Sequence, residues 1–194
     1  MLQDFFDDVQ DWCRGKIWYF RAILLLFFLY IFLRHLANPM YNSIFKGLNL
    51  GIHELGHFVF VFFGRFIEIA GGTILQLLVP LIAIFMFYKQ RDYFAIAFSF
   101  GWLSTNLFDI ATYIADARAR ALPLVSPGSS EYIIHDWNYL LRRMGLLKMD
   151  TTIAFFTRVL AVVSMLICLG FGTWIILKMI QLDDTPKFHR KFYN

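Results

Sequence analysis

The stretch Ile69–Tyr88 has the sequence IAGGTILQLLVPLIAIFMFY and contains no charged side chain. As an α-helix, a run of about 20 residues extends about 30 Å, which matches the thickness of the hydrocarbon core of a bilayer. Helices and strands of soluble proteins rarely need an uninterrupted apolar run of this length. The stretch therefore predicts a transmembrane helix and decides the fold class of the chain around it.

Four further apolar runs of similar length lie on either side of this stretch. They are Ile17–Leu36, Ile44–Phe63, Tyr93–Ala115 and Ile153–Ile180. We therefore expect an all-α fold, a polytopic transmembrane helical bundle of about five spans, which forms one integral-membrane domain over residues 1–194. The first run lacks a basic start and a small-residue cleavage site, so we expect it to remain in the mature protein.

The composition of the 194 residues agrees with a membrane-embedded fold. Hydrophobic residues make up 59% and charged residues 16%, against about 45–50% and about 25% in soluble domains. The 23 Phe residues exclude a disordered tail or a nucleic-acid-binding arm. Basic loops explain the net charge of +4 without a nucleic-acid partner. We expect a multi-pass protein of a bacterial cell membrane, and its orientation stays open because basic residues are balanced between the two sides.

The connection Asp116–Asp150 is the only long one between the predicted spans. Its first half contains Pro123, Pro127 and Gly128 and is expected to be irregular. Its second half, Glu131–Leu147, is amphipathic and predicts a short helix at or near the membrane interface. Long connections in compact folds are usually functional or disordered, and the apolar residues of this one favour an ordered, docked segment.

The second predicted span contains His53-Glu54-Leu55-Gly56-His57, an HExxH motif. Residues four apart share one face of a helix, so both imidazoles can reach a single cation. Glu54 can then accept a proton from a water bound to that cation. Ionisable groups inside an apolar span are usually functional or paired. A structural role for the two histidines, with Glu54 as their partner, is the alternative, and haem ligation is disfavoured because one helical face cannot supply both axial ligands.

A catalytic metal site needs a third protein ligand, and two regions offer one. In the long connection, Asp136 or the preceding His135 could close the coordination sphere at the start of a docked helix; an ordinary helix N-cap is the alternative.

The predicted span Tyr93–Ala115, with the residue that follows it, carries the other candidates as a polar stripe of Asn106, Asp109, Tyr113 and Asp116. Asp109 is the best candidate there for a partner that orients a ligand, and direct ligation by Asp109 or Asp116 is less favoured.

These motifs resemble the site-2 protease family of intramembrane zinc metalloproteases. The resemblance rests on His53–His57 within a span, on the Gly71-Gly72 pair that follows it, and on a later Asp. In that family two His and a distant Asp bind one Zn²⁺, and the Glu is the general base. The resemblance implies His53 and His57 as ligands, Glu54 as the base, and Asp136 as the third ligand, with His135 as the alternative. The family's Asp is followed by Gly, whereas Trp137 follows Asp136 here.

The resemblance implies a metalloprotease-like core at about residues 44–150, with residues 17–36 and 153–180 as flanking spans. It also implies an intramembrane zinc metalloendopeptidase, with one Zn²⁺ per chain, that cleaves a membrane-anchored protein. Gln76, Asn106 and Asn138 are candidate amide partners for the substrate backbone, or else interhelical hydrogen bonds.

Other functions stay open at this point. The main alternative is a non-catalytic, metal-binding subunit of a larger membrane complex, in which case the partner is another subunit rather than a substrate. A metal or proton transporter is a third, although a chain without internal repeats disfavours it.

Overall fold

In the computed structural model, which describes residues 2–123 and 134–183, these residues fold into α-helices and two 3₁₀ turns, with no strand among them. The helices are α1 (Leu2–Cys13), α2 (Tyr19–Ala37), α3 (Lys46–Phe60), α4 (Arg65–Lys89), α5 (Tyr93–Ala115), α6 (Asp136–Arg143) and α7 (Asp150–Asp183). The predicted all-α class is therefore confirmed for the described part of the chain.

Among the described residues, four helices are long and apolar enough to cross a membrane: α2, α4, α5 and α7. The predicted span Ile44–Phe63 is not among them, so the expected five spans are not confirmed. In its place stands α3, a helix of 15 residues followed by the single 3₁₀ turn Val61–Phe63. A helix of that length extends about 22 Å, which is less than the hydrocarbon core. The helix does not continue into α4 because Gly64 adopts a φ of 84°, which ends the turn and lets the chain start α4 in a new direction.

Helix α5 lies at the centre of the bundle. In its most apolar stretch 67% of the residues are buried, against 28% for both α2 and α4. Its hydroxyl and carbonyl groups bond across to α7: Ser104 Oγ donates to the Ala161 carbonyl and Ser164 Oγ to the Phe100 carbonyl, both at 2.7 Å. Tyr113 lies near the C-terminal end of α5, so this helix also forms one wall of the site described below.

Helices α3 and α4 approach each other through glycines. A Cβ on Gly56 would collide with the backbone carbonyl of Gly71, and a Cβ on Gly71 would lie 2.7 Å from the Gly56 carbonyl oxygen. Small residues allow such close backbone contact between membrane helices. The contact brings the HExxH helix directly against the backbone of α4.

The amphipathic segment predicted at Glu131–Leu147 contains a shorter helix, α6, of eight residues. It buries Asp136, Leu140 and Leu141, and it is followed by Gly145 at φ 72°, the left-handed position that commonly ends a helix. Glu131, and the expected irregular residues Pro127 and Gly128, lie outside the described residues. The described part thus places a short docked helix between α5 and α7.

The α3–α4 contact predicts a specific sensitivity to a single methyl group. Gly56→Ala should lower the free energy of unfolding in detergent by roughly 1–3 kcal/mol, because the new Cβ meets immobile backbone. Gly51→Ala is the matched control on the same helix, since a Cβ there has nothing within 4 Å; it should raise stability by about 0.5–1 kcal/mol. Equal melting temperatures for the two variants would contradict the close contact.

Candidate metal centre

The two histidines of the HExxH motif lie one turn apart on the face of α3 that is turned into the bundle. His53 is 6% exposed, and the ring centroids of His53 and His57 are 4.9 Å apart. The motif therefore has the geometry that its spacing predicts.

Asp136, the first residue of α6, completes the group from the other side. Its Oδ2 lies 2.9 Å from His53 Nε2 and 3.3 Å from His57 Nε2. One ligand atom from each of the three residues lies within 4.8 Å of the other two. His53, His57 and Asp136 thus form a group, called the metal group below, that could hold a metal ion. Asp136 is the third ligand that the family resemblance implies.

The far nitrogen of each imidazole is held by a fixed acceptor. His53 Nδ1 lies 2.9 Å from Gln76 Oε1, and His57 Nδ1 lies 2.9 Å from the carbonyl oxygen of Glu68. Each of these oxygens can accept the proton on Nδ1, and each Nε2 then faces Asp136, where it donates only if the ring carries a second proton. This pattern is typical of metal-binding histidines, whose second ring nitrogen donates to a carbonyl or carboxylate.

The carboxylate of Asp136 has to be neutralised by the two histidines or by a metal ion. His57 faces an acceptor at both ring nitrogens, the Glu68 carbonyl and the Asp136 carboxylate, and a neutral imidazole has only one N–H to donate. Burial raises the pKa of Asp136, but hydrogen bonds with His53 and His57 outweigh it and hold that pKa below its usual range. Either extra protons or a metal ion must therefore neutralise the carboxylate, and a metal would displace those protons.

Gly72 of α4 forms the back of the group. A Cβ at this position would lie 2.6 Å from His53 Nε2 and 2.7 Å from His57 Nε2. No side chain larger than hydrogen fits there without moving the two nitrogens that face Asp136. The Gly71-Gly72 pair seen in the sequence thus has two roles, close helix packing and room for the imidazoles.

His135, the alternative third ligand, is not in this group. Its Nε2 donates to Asp116 Oδ2 at 3.2 Å, and its Nδ1 accepts from the backbone N–H of Asn138 at 3.3 Å. Both ring nitrogens of a neutral imidazole are thereby satisfied. Burial lowers the pKa of His135, opposed by the hydrogen bond to Asp116, which agrees with a neutral ring. The His135 side chain thus caps the N-terminus of α6. An N-cap was the alternative to metal ligation that the sequence offered for this segment.

The group opens onto a cavity of about 520 Å³. Glu54 and Tyr113 line the cavity together with the three residues of the group. Glu54 forms no hydrogen bond or ion pair with residues 2–123 or 134–183, so its carboxylate is available to a molecule in the cavity. The Tyr113 hydroxyl accepts the backbone N–H of Asp136 at 3.1 Å and so fixes the start of α6.

The remaining predicted site residues occupy different positions. Asp109 lines the cavity but accepts a hydrogen bond from Asn49 Nδ2 at 2.8 Å rather than one from a histidine. Asn106 Nδ2 donates to the Trp102 carbonyl, and Asn138 Nδ2 donates to the Ala117 carbonyl. Of the four residues named for supporting roles, Gln76 is the one that the structure brings into contact with a histidine of the group.

Two polar groups of the site, one that holds His57 and one that lines the cavity, escaped the sequence analysis. The Glu68 carbonyl is a backbone group, which no residue pattern reveals. Asn49 lies one turn before His53 and links α3 to Asp109 and Trp102. It could have been predicted from the sequence, because it is a polar residue at helical spacing from the motif.

Comparisons with known proteins give no relative. No family model, no curated protein and no solved structure matches the chain.

Metal retention should distinguish Asp136 from its neighbour. Asp136→Ala removes one of the three converging atoms, so metal measured by mass spectrometry on the purified protein should fall well below one ion per chain. His135→Asn is the matched control, because Asn can still cap α6 while the group stays intact; it should retain the metal. Loss in His135→Asn alone would overturn the assignment.

The Gln76 contact should set the strength of metal binding. Gln76→Leu removes the acceptor of His53 Nδ1, and loss of such an outer partner typically weakens metal affinity by roughly 10–100-fold. Competition with a chromophoric chelator would measure the change. Asn106→Leu, on the neighbouring helix and without a contact to either histidine, should leave the affinity within about threefold of the wild-type value. An affinity in Gln76→Leu equal to that of wild type would exclude this role.

Proposed function

We propose that this protein is a zinc metalloendopeptidase of the membrane that cleaves a membrane-anchored protein. The observation that carries the proposal is the arrangement of four side chains in one cavity: His53, His57 and Asp136 converge, and Glu54 stands beside them without a partner among the described residues. Three ligands and a free carboxylate are what a catalytic, rather than a purely structural, site requires.

The donor set fits zinc. Two imidazole nitrogens and one carboxylate oxygen are common zinc ligands, and three protein ligands leave the fourth position of a tetrahedral site for water or substrate. When bound, zinc would polarise the scissile carbonyl and lower the pKa of the attacking water. The carboxylate of Asp136 would offset part of the positive charge within an apolar bundle.

The side chains of this chain divide the remaining work. Glu54 accepts the proton of the attacking water and delivers it to the leaving amine, so that one carboxylate serves as base and then as acid. Gln76 and the Glu68 carbonyl hold the imidazoles in the tautomer that presents Nε2. Tyr113 holds the backbone of Asp136 in place through its hydroxyl.

The surroundings of the cavity favour a substrate from the membrane. Helix α3 exposes the apolar side chains of Leu55 and Phe58, and the 3₁₀ turn after it exposes Phe62. These side chains suit contact with lipid or with an apolar helix. The short loop before α3 lines the cavity with Pro39 and Asn42. A substrate helix that reaches the metal group along α3 would have to unwind locally to expose a peptide bond.

Replacement of the base gives the sharpest test of the proposal. In Glu54→Gln the metal group is unchanged, so bound zinc should stay near the wild-type level while proteolysis falls below detection. Glu68→Gln is the matched control: Glu68 also lines the cavity, but its carboxylate pairs with Arg65 at 2.8 Å, and its backbone carbonyl is kept.

The assay would use zinc-loaded protein in proteoliposomes with a panel of single-span peptides, and mass spectrometry would identify the products. Cleavage by Glu54→Gln at the wild-type rate would remove Glu54 from the mechanism. A protein that binds zinc but cleaves no substrate, with or without Glu54, would favour the metal-binding subunit instead.

A further inference from the structure

A second pocket borders α6 and has a volume of about 680 Å³. Three arginines line it: Arg120, which follows α5, and Arg142 and Arg143, which end α6. Tyr139 and Asn138 add polar groups to the same wall. The pocket therefore joins the end of the core helix to the short helix that carries Asp136.

The three arginines of this pocket lack counter-ions among residues 2–123 and 134–183. Of the seven other arginines in the described part of the chain, four pair with carboxylates, namely Arg14, Arg65, Arg91 and Arg118, and three do not. Asp116, which contacts the pocket residue His135, is already engaged, since it accepts the backbone N–H groups of Ala121 and Leu122 and the Nε2–H of His135. The three exposed guanidinium groups therefore keep an unbalanced positive charge within the described part of the chain.

The backbone around Arg120 is held in an unusual conformation. Arg120 has a φ of 50°, a left-handed value that is uncommon for residues other than glycine. The two bonds from Ala121 and Leu122 to Asp116 hold the chain in this turn. A residue kept at such a φ often marks a functional position, and here the turn places Arg120 opposite the end of α6.

The position of the pocket along the bundle points to lipid. α5 ends at Ala115 and α7 begins at Asp150, and both are long and apolar enough to cross a membrane. The pocket between them thus lies where a bilayer would end. Beside it, Met144, Leu146 and Met149 expose apolar side chains, which suit acyl chains better than water.

We propose that this pocket binds the phosphate group of an anionic phospholipid. Guanidinium groups bind phosphate oxygens in a bidentate fashion, and basic pockets at the ends of membrane helices bind anionic headgroups. The three exposed apolar residues lie along the acyl chains. Because the headgroup contacts arginines on both sides, it fastens α6 to the end of α5. The proposal does not depend on the hydrolase activity proposed above.

The test uses the full-length protein in dodecyl maltoside micelles, titrated with dioctanoyl-phosphatidylglycerol and followed by native mass spectrometry and thermal melting. Each arginine near an anionic headgroup strengthens binding by roughly fivefold. The variant R120Q/R142Q/R143Q should therefore bind the lipid roughly 100-fold more weakly than wild type. The variant R120K/R142K/R143K, which keeps the charges, should retain most of the affinity.

The matched control removes three charges at the opposite end of α5, where α1 contacts Tyr93 through Phe5 and Trp12. The variant R14Q/K89Q/R91Q should bind the lipid as tightly as wild type. Should the triple glutamine variant fail to fold by circular dichroism, Arg142→Gln alone replaces it, with an expected loss of roughly fivefold.

Three results would overturn the proposal. One is an equal affinity of wild type and the glutamine variant for the lipid. Another is equal binding of dioctanoyl-phosphatidylcholine, which carries no net charge. The third is binding of sodium phosphate as tight as that of the lipid, which would identify a free-phosphate site.

Discussion

The contact between the backbones of α3 and α4 is the constraint on which the site depends. Gly56 and Gly71 let the two helices touch without intervening side chains, and Gly72 leaves space for both imidazoles at the same level. At this separation Gln76 and the Glu68 carbonyl, both on α4, reach the Nδ1 atoms of His53 and His57. A wider separation would leave both histidines without a partner in an apolar bundle, where an unsatisfied polar group is costly.

Other buried polar side chains near the cavity also have hydrogen-bond partners. Asn49 bonds to Asp109 and to Trp102, and His135 bonds to Asp116 and to the backbone of its own helix. Buried polar side chains with partners on two helices fix the relative position of those helices. Glu54 differs from these residues, because it lines the cavity without a hydrogen bond or ion pair in the described part of the chain. A carboxylate in this position can act on whatever enters.

The sequence predicted the parts of the site that follow from local spacing. His53, Glu54 and His57 lie within five residues of one helix, so periodicity alone fixes their common face. The choice between His135 and Asp136 depends on how α6 docks across 83 residues of chain from His53, and adjacent residues cannot be told apart by composition. The structure separates them because His135 turns toward Asp116 and caps the helix.

The number of spans also depends on a detail that the sequence does not reveal. Ile44–Phe63 has the length and overall hydrophobicity of a span, but Gly64 adopts a φ of 84° and the preceding 3₁₀ turn ends the helix early. A glycine in a sequence does not reveal whether the fold uses its conformational freedom. The long apolar helices α2, α4, α5 and α7 needed no such information, since hydropathy and length suffice for them.

The residues of the metal group come from α3 and α6, and these two helices are held in the bundle to different degrees. This difference has a kinetic consequence. His53 and His57 sit on a helix locked against α4, so they form a bidentate pair that exists before any ion arrives. Asp136 sits on an eight-residue helix, which rests on the bundle through Leu140, Leu141 and the Tyr113 hydroxyl. If the group holds an ion, we expect the ion to bind the two histidines first and the Asp136 carboxylate second. Dissociation would then begin with the release of Asp136. The residence time of the ion would then be governed by the docking of α6 rather than by the histidines.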